Sequence, residues 1–169
     1  PYMSTFAELP DKARLWIYTA ADPLSEAEQS EVLKRLEGFM DGWTSHNRPV
    51  QAQATIRDDR FVILAATVAD GDVSGCGIDA SVNAVDEVAG DLGLAWTSPL
   101  DVLYRDADGN VRSVSRADFR RLVSEDRVDA STRVFDPSIT TLGALRDGDF
   151  EQPAGAAWHA RVFQIPTAA

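Results

Sequence analysis

One stretch of the chain holds the ingredients of covalent chemistry: Ser74-Gly75-Cys76-Gly77-Ile78-Asp79. Cys76 is the sole cysteine and stands between two glycines, where an apolar run gives way through a Gly/Asp loop to a helical pattern. Unpaired amides at a helix start favour negative charge and can stabilise a thiolate. The glycines would leave the sulfur accessible. Cys76 is therefore a candidate nucleophile or redox-sensitive thiol, with His46 or His159, the two histidines, as its base. Gly75, Gly77 and Asp79 are candidate ligand-binding positions in the same stretch. A structural role is the simpler reading of these residues: Cys76 as a small buried hydrophobe, the glycines for a tight turn, and Asp79 or Ser81 as the helix cap. Asp79 also works against thiolate formation.

The remaining candidates have competing readings of the same kind. His46 follows Trp43 at the expected end of the first helix, where an imidazole suits the negative end of the helix dipole. Trp158-His159-Ala160-Arg161 reads as part of a final strand over 158–164. Trp158 and Ala160 would then face one way, His159 and Arg161 the other. Arg161 has the planar fork that binds a carboxylate ligand, and Trp158 is a further candidate ligand-binding position; an ion pair is the structural alternative for Arg161. The acid pairs Asp58-Asp59, Asp70/Asp72, Asp106/Asp108 and Asp147/Asp149 fall in turn segments, which explains them better than acid–base catalysis. Asp70/Asp72 could recruit Mg²⁺ or Ca²⁺ weakly. No zinc-binding spacing is present, and no metal or cofactor is expected; Cys76, His46 and His159 are the only soft donors.

These side chains must be positioned by a small number of elements. Arg14 to Thr19 reads as a first strand. Ser25 and Glu28 have capping-box spacing, and Val32, Leu33, Leu36, Phe39, Met40 and Trp43 then trace one helical stripe ending near 42–45. Gln51–Ile56, the polar turn 57–60 and the apolar run 61–68 predict a hairpin whose second strand is central. Ile78, Val82, Val85, Ala89 and Leu92 repeat at helical spacing, with Gly93 placed to stop the helix. Strands at 100–104 and 111–114 flank an Asp108-Gly109 turn, and Ser115 begins a third helix. Val134, Phe135 and Ile139 suggest a short docked segment, and 140–145 a short helix.

The first six elements, β-α-β-β-α-β, predict an α+β, ferredoxin-like split βαβ sandwich with an antiparallel sheet, both helices on one face and a C-terminal extension. One domain over 1–169 is expected. Its core would span about 14–105, with the hairpin, third helix and docked tail over about 106–165. The 169 residues are 44% apolar and 25% charged, enough for a sizeable core. Net charge is −11, with 19 Asp, 8 Glu, 14 Arg and only two lysines, Lys12 and Lys34. Such a balance lacks the basic footprint that nucleic acid or an anionic membrane requires. The Asp-rich, Lys-poor skew suits adaptation to a high-salt (halophilic) cytoplasm, although genomic base composition could produce part of it. A lone cysteine excludes a disulfide framework, residues 1–8 do not read as a signal peptide, and the longest apolar run is too short to span a bilayer. Those readings place the protein in the cytoplasm.

Arg14-Leu15-Trp16-Ile17-Tyr18, Trp43-x-x-His46, Gly75-Cys76-Gly77-Ile78-Asp79-Ala80-Ser81-Val82, Val134-Phe135-Asp136 and Trp158-His159-Ala160-Arg161 are spread over nearly the whole chain. Together they resemble a family of small uncharacterised bacterial proteins labelled "ABC transporter ATPase". Members more often carry Ser where this chain has Gly77. The activity in that label fails a physical test. Such an ATPase needs a Gly-rich loop ending in Lys-Ser/Thr to cradle phosphates, and neither Lys12 nor Lys34 follows one. With no complete catalytic constellation, the sequence predicts a non-catalytic module binding a small molecule or a protein. A small cysteine-dependent enzyme or thiol sensor built on Cys76 is the alternative.

Overall fold

The computed structural model describes residues 6–69 and 71–167. Asp70, the proposed weak metal position, and most of the segment weighed as a signal peptide (residues 1–5) lie outside the described residues. The chain is a mixture of helices and antiparallel sheets, divided into two compact units. The first comprises 1–96 and 138–147; the second comprises 97–137 and 148–169. The expected tail is thus divided, with 138–147 packing in the first unit and the rest in the second.

In the first unit, strand β1 (Arg14–Thr19) leads to helix α1 (Glu26–Asp41), a two-residue-strand hairpin β2 (Thr44–Ser45) and β3 (Arg48–Pro49), strands β4 (Gln51–Arg57) and β5 (Phe61–Thr67), and helix α2 (Gly75–Leu92). Ser25 caps α1 reciprocally with Glu28, and Gly93 ends α2 in the left-handed conformation at φ 67°. The sheet order is β1-β5-β4, all antiparallel, with every residue of the central β5 buried. Val62, Leu64 and Ala66 face a layer formed by Leu36 and Met40 of α1 and by Ile78, Val85 and Val88 of α2. Both helices therefore cover one face, as the stripes require.

A ferredoxin-like sheet also needs a fourth strand beside β1, and the segment expected to supply it does not. Val102–Arg105 pairs in the other unit. The outer edge of β1 instead receives two short contacts, an Ala20–Trp96 bridge at one end and an Arg14–Thr141 bridge at the other. The ferredoxin-like arrangement is accordingly not confirmed, because strand pairing is decided by long-range register that no local pattern encodes. Residues 141–146 form helix α4 (Leu142–Arg146, capped by Thr141). Its Arg146 donates to the carbonyls of Phe6 and Leu9 and pairs with Asp11 at 2.6 Å.

The second unit is a four-stranded sheet in the order β7-β6-β8-β9, built from β6 (Val102–Arg105), β7 (Val111–Val114), β8 (Arg133–Phe135) and β9 (Glu151–Pro153). Asp106 organises the β6–β7 turn by accepting from the amides of Asp108 and Asn110, and Gly109 takes φ 84°. The Arg112 guanidinium, with those amides, holds the Asp106 carboxyl below its usual range. Helix α3 (Arg116–Ser124, capped by Ser115) buries Phe119 against Val102, Val128, Val134, Phe163 and Ile165.

Residues 158–162 are helix α5, not the expected strand. Val-Phe-Gln-Ile alternates well enough to suggest a strand, but no sheet edge receives it. The spacing of His159 and Phe163, four apart and both buried, is helical.

Gly38 lies exposed within α1, with open space where a Cβ would be. Replacing it by alanine removes the backbone-entropy cost of glycine inside a helix without a clash. Gly38→Ala should stabilise the protein by about 0.5–1 kcal/mol, seen as a rise of roughly 2–4 °C per kcal/mol in thermal unfolding.

Candidate functional site

Ser74, not Asp79 or Ser81, caps α2: its Oγ accepts from the Gly77 amide at 3.2 Å. Ser45, buried in the β2–β3 hairpin, accepts from the Ser74 amide at 2.8 Å, and the two hydroxyl oxygens are 2.9 Å apart. Trp43 Nε1 donates to the Gly77 carbonyl at 3.1 Å. Hairpin and helix start are thus fastened through Ser45, which the sequence reading did not single out, together with Trp43, Ser74 and Gly77. The Ser74-x-x-Gly77 spacing before the apolar repeat was the available signal for the cap; nothing local pointed to Ser45. A Cβ on Gly77 would meet Val73 Cγ1 at 2.9 Å, so this glycine is required by close packing.

Cys76 is exposed on the first turn of α2, which overturns its reading as a buried hydrophobe. Two glycines beside it leave no side chains to cover the sulfur. Gly75 and Asp79 are exposed with it. Among the described residues, neither histidine is hydrogen-bonded to Cys76. His46 is not at a helix end. Helix α1 stops at Asp41 with Gly42 as its cap, and His46 and Asn47, at φ 52° and 63°, form the two-residue turn of the β2–β3 hairpin. Two positive φ angles in such a loop match the twist of the flanking strands.

His159 belongs to the second unit and is fully buried, its ring stacked on Trp158 at 3.8 Å and 6.0 Å from the Phe119 ring. Neither ring nitrogen has a hydrogen-bond partner among the described residues. Burial pushes its pKa from 6.5 down to about 4; Asp136 opposes this and Arg116 adds to it. His159 is a neutral core residue near pH 7, and its nitrogens are sealed from any substrate.

Helical winding brings Trp158, Arg161 and Val162 onto the exposed side of α5, so Trp158 and Arg161 share a face where a strand would have separated them. Arg161 makes no ion pair among the described residues, contrary to the structural alternative. The Arg116 guanidinium lies 5.7 Å from the Trp158 ring and that of Arg120 lies 5.4 Å from the Phe163 ring.

A groove of about 800 Å³ in the first unit went unread. It runs between α1 and the free edge of β4, with Glu8, Glu37 and Asp41 supplying carboxylates and Leu33, Met40 and Val50 apolar surface. Gln53 also lines it, and the Gln53 Oε1 is buried without a hydrogen-bond partner among the described residues. Groove residues from three separate segments meet only on folding, so no motif announces them.

Among the described residues no three His, Cys, Asp or Glu side chains group to hold a metal ion. No helix of the described residues is long and apolar enough to cross a membrane. Compared with protein-family models, curated proteins and solved structures, the chain matches none.

Proposed function

We propose that this protein is a non-catalytic binding module that takes an extended, cationic ligand along the free edge of β4. The groove carries the reading. Strand β4 pairs with β5 on one side only, and its residues 51–56 contain no charge and no proline, the usual devices that block an open edge. An extended segment laid there gains main-chain hydrogen bonds, the carboxylates of Glu8, Glu37 and Asp41 select positive charge, and Gln53 Oε1 gains a donor. A pentapeptide alternating lysine and valine should saturably shift the backbone amide resonances of Gln51–Arg57. Methylating its alternate amide nitrogens should abolish the effect. Equal binding of the methylated peptide, or shifts confined elsewhere, would reject strand addition.

Exposure of Cys76 at a helix start supports the second reading, a thiol enzyme or sensor. Its test is the rate of iodoacetamide alkylation across pH. A rate already at its plateau by about pH 7 supports a stabilised thiolate, whereas the rise of an ordinary thiol near pH 8.5 supports the binding module. The first unit fits a split βαβ whose fourth strand has shrunk to the bridges beside β1. Kinship with the small bacterial family rests on the spaced motifs. Residence in a salt-rich bacterial cytoplasm, with no nucleic-acid partner, rests on the acidic composition; these belong to the same proposal.

A further inference from the structure

Eleven of the fourteen arginines have a carboxylate partner or donate to backbone carbonyls; Arg35 and Arg146 are typical. Three that do neither among the described residues, Arg116, Arg120 and Arg161, belong to two helices of the second unit. Arg116 and Arg120 are one turn apart on α3, and their guanidiniums lie over the rings of Trp158 and Phe163, themselves 6.0 Å apart. Arg161 stands on the same exposed side of α5 as Trp158, 39% exposed, and Val162, 43% exposed. In a chain of net charge −11, with 27 acids for 16 bases, unpaired arginines are the uncommon outcome. Asp118, the acid nearest in sequence on α3, is committed to Arg121 at 2.7 Å.

We propose that this face docks an acidic peptide segment of a partner protein, its carboxylates on Arg116, Arg120 and Arg161 and an apolar side chain against Trp158 and Val162. Guanidinium forks match carboxylates in geometry, and a partly exposed tryptophan supplies an anchor of the kind that dominates small interfaces. Arg116, Arg120, Trp158, Arg161 and Val162 are all exposed, and such an open face suits a segment of a macromolecule better than an enclosed small molecule. Range decides against a membrane or duplex nucleic acid. Screening confines attraction to about 8 Å at physiological salt, so a short segment senses the arginines, whereas an extended anionic surface also meets the surrounding acids. This surface is separate from the β4 groove and stands or falls without it.

The test uses the full chain and a capped, fluorescein-labelled octapeptide of glutamates with a central phenylalanine, followed by anisotropy. Saturable binding that weakens with salt is expected. At least tenfold loss should accompany replacement of the peptide glutamates by glutamine, and also the double variant R116E/R120E. Arg116→Gln with Arg120→Gln, milder for folding and checked by thermal unfolding, should lose at least threefold, and Trp158→Ala likewise. Equal binding by the glutamine peptide or by the folded arginine variants would overturn the proposal. So would the absence of saturable binding up to roughly millimolar peptide, the weakest affinity of interest. Binding of phosphatidylglycerol vesicles but not of peptide, or a salt-sensitive self-association abolished by R116E/R120E without peptide binding, would assign the face to another occupant.

Discussion

Acidification from pH 7 to pH 4.5 should remove about 2.5 kcal/mol of stability through His159 alone, while most aspartates are still ionised. The imidazole is sealed between Trp158, Phe119 and Phe163 with neither nitrogen partnered. In the folded chain burial pushes its pKa down to about 4, while in the unfolded chain it returns to the ordinary value near 6.5. Between those values the unfolded state binds a proton that the folded state refuses. Stability is therefore full above about pH 6.5 and falls as pH drops towards 4. Urea unfolding at pH 7.0 and 4.5 measures the difference. In His159→Phe the imidazole's share of that loss should disappear. The variant should also be more stable at pH 7, because a phenyl ring fills the site without enclosing unpaired nitrogens. Equal pH dependence in wild type and His159→Phe would reject the assignment.

Arg60→Ala should cost about 3 kcal/mol, a large effect for one residue of a turn that reads as solvent-facing. Asp58 and Asp59, at φ 54° and 55°, reverse the chain and return Arg60 to a buried position, 6% exposed. There its Nε donates to the Ala20 carbonyl at 2.7 Å and its terminal nitrogen to Ala21 at 3.0 Å, while its own carbonyl accepts from the Ala20 amide at 2.8 Å. The guanidinium thus closes the end of β1 onto the β4–β5 turn. Truncation removes two charge-assisted bonds, each worth about 1.5 kcal/mol, and leaves the buried Ala20 carbonyl without this donor. Arg60→Lys keeps the charge but not the fork and should recover less than half. Urea unfolding with an unchanged dependence on denaturant would report stability alone; a loss below about 1 kcal/mol would contradict this role.

Much of the local structure was legible because its causes are local. The Ser25–Glu28 spacing, the α1 stripe, Gly93 and the Asp108-Gly109 turn each act within a few residues, through a cap, a period or a permitted φ. The continuous apolar run at 61–67 likewise required a strand covered on both faces. The same reasoning misplaced His46 by extending α1 past Gly42. It also turned 158–164 into a strand, where seven residues satisfy either period and only the surroundings choose.

The candidate site was less legible, since exposure and pairing are properties of the whole chain. Composition fixed the acidic excess and the absence of a Walker loop, but could not say which arginines would be left without acids. Sequence determined most of the elements, the helix starts at Ser25 and Ser115 and the position of Cys76 at a helix start. Tertiary structure decided that Val102–Arg105 joins a second sheet, that Cys76 is open while His159 is sealed, and that Arg116 lies over Trp158 and Arg120 over Phe163. The physical reason is range: capping and periodicity act over one or two turns, whereas burial, strand partners and ion pairs depend on residues brought together only by the fold.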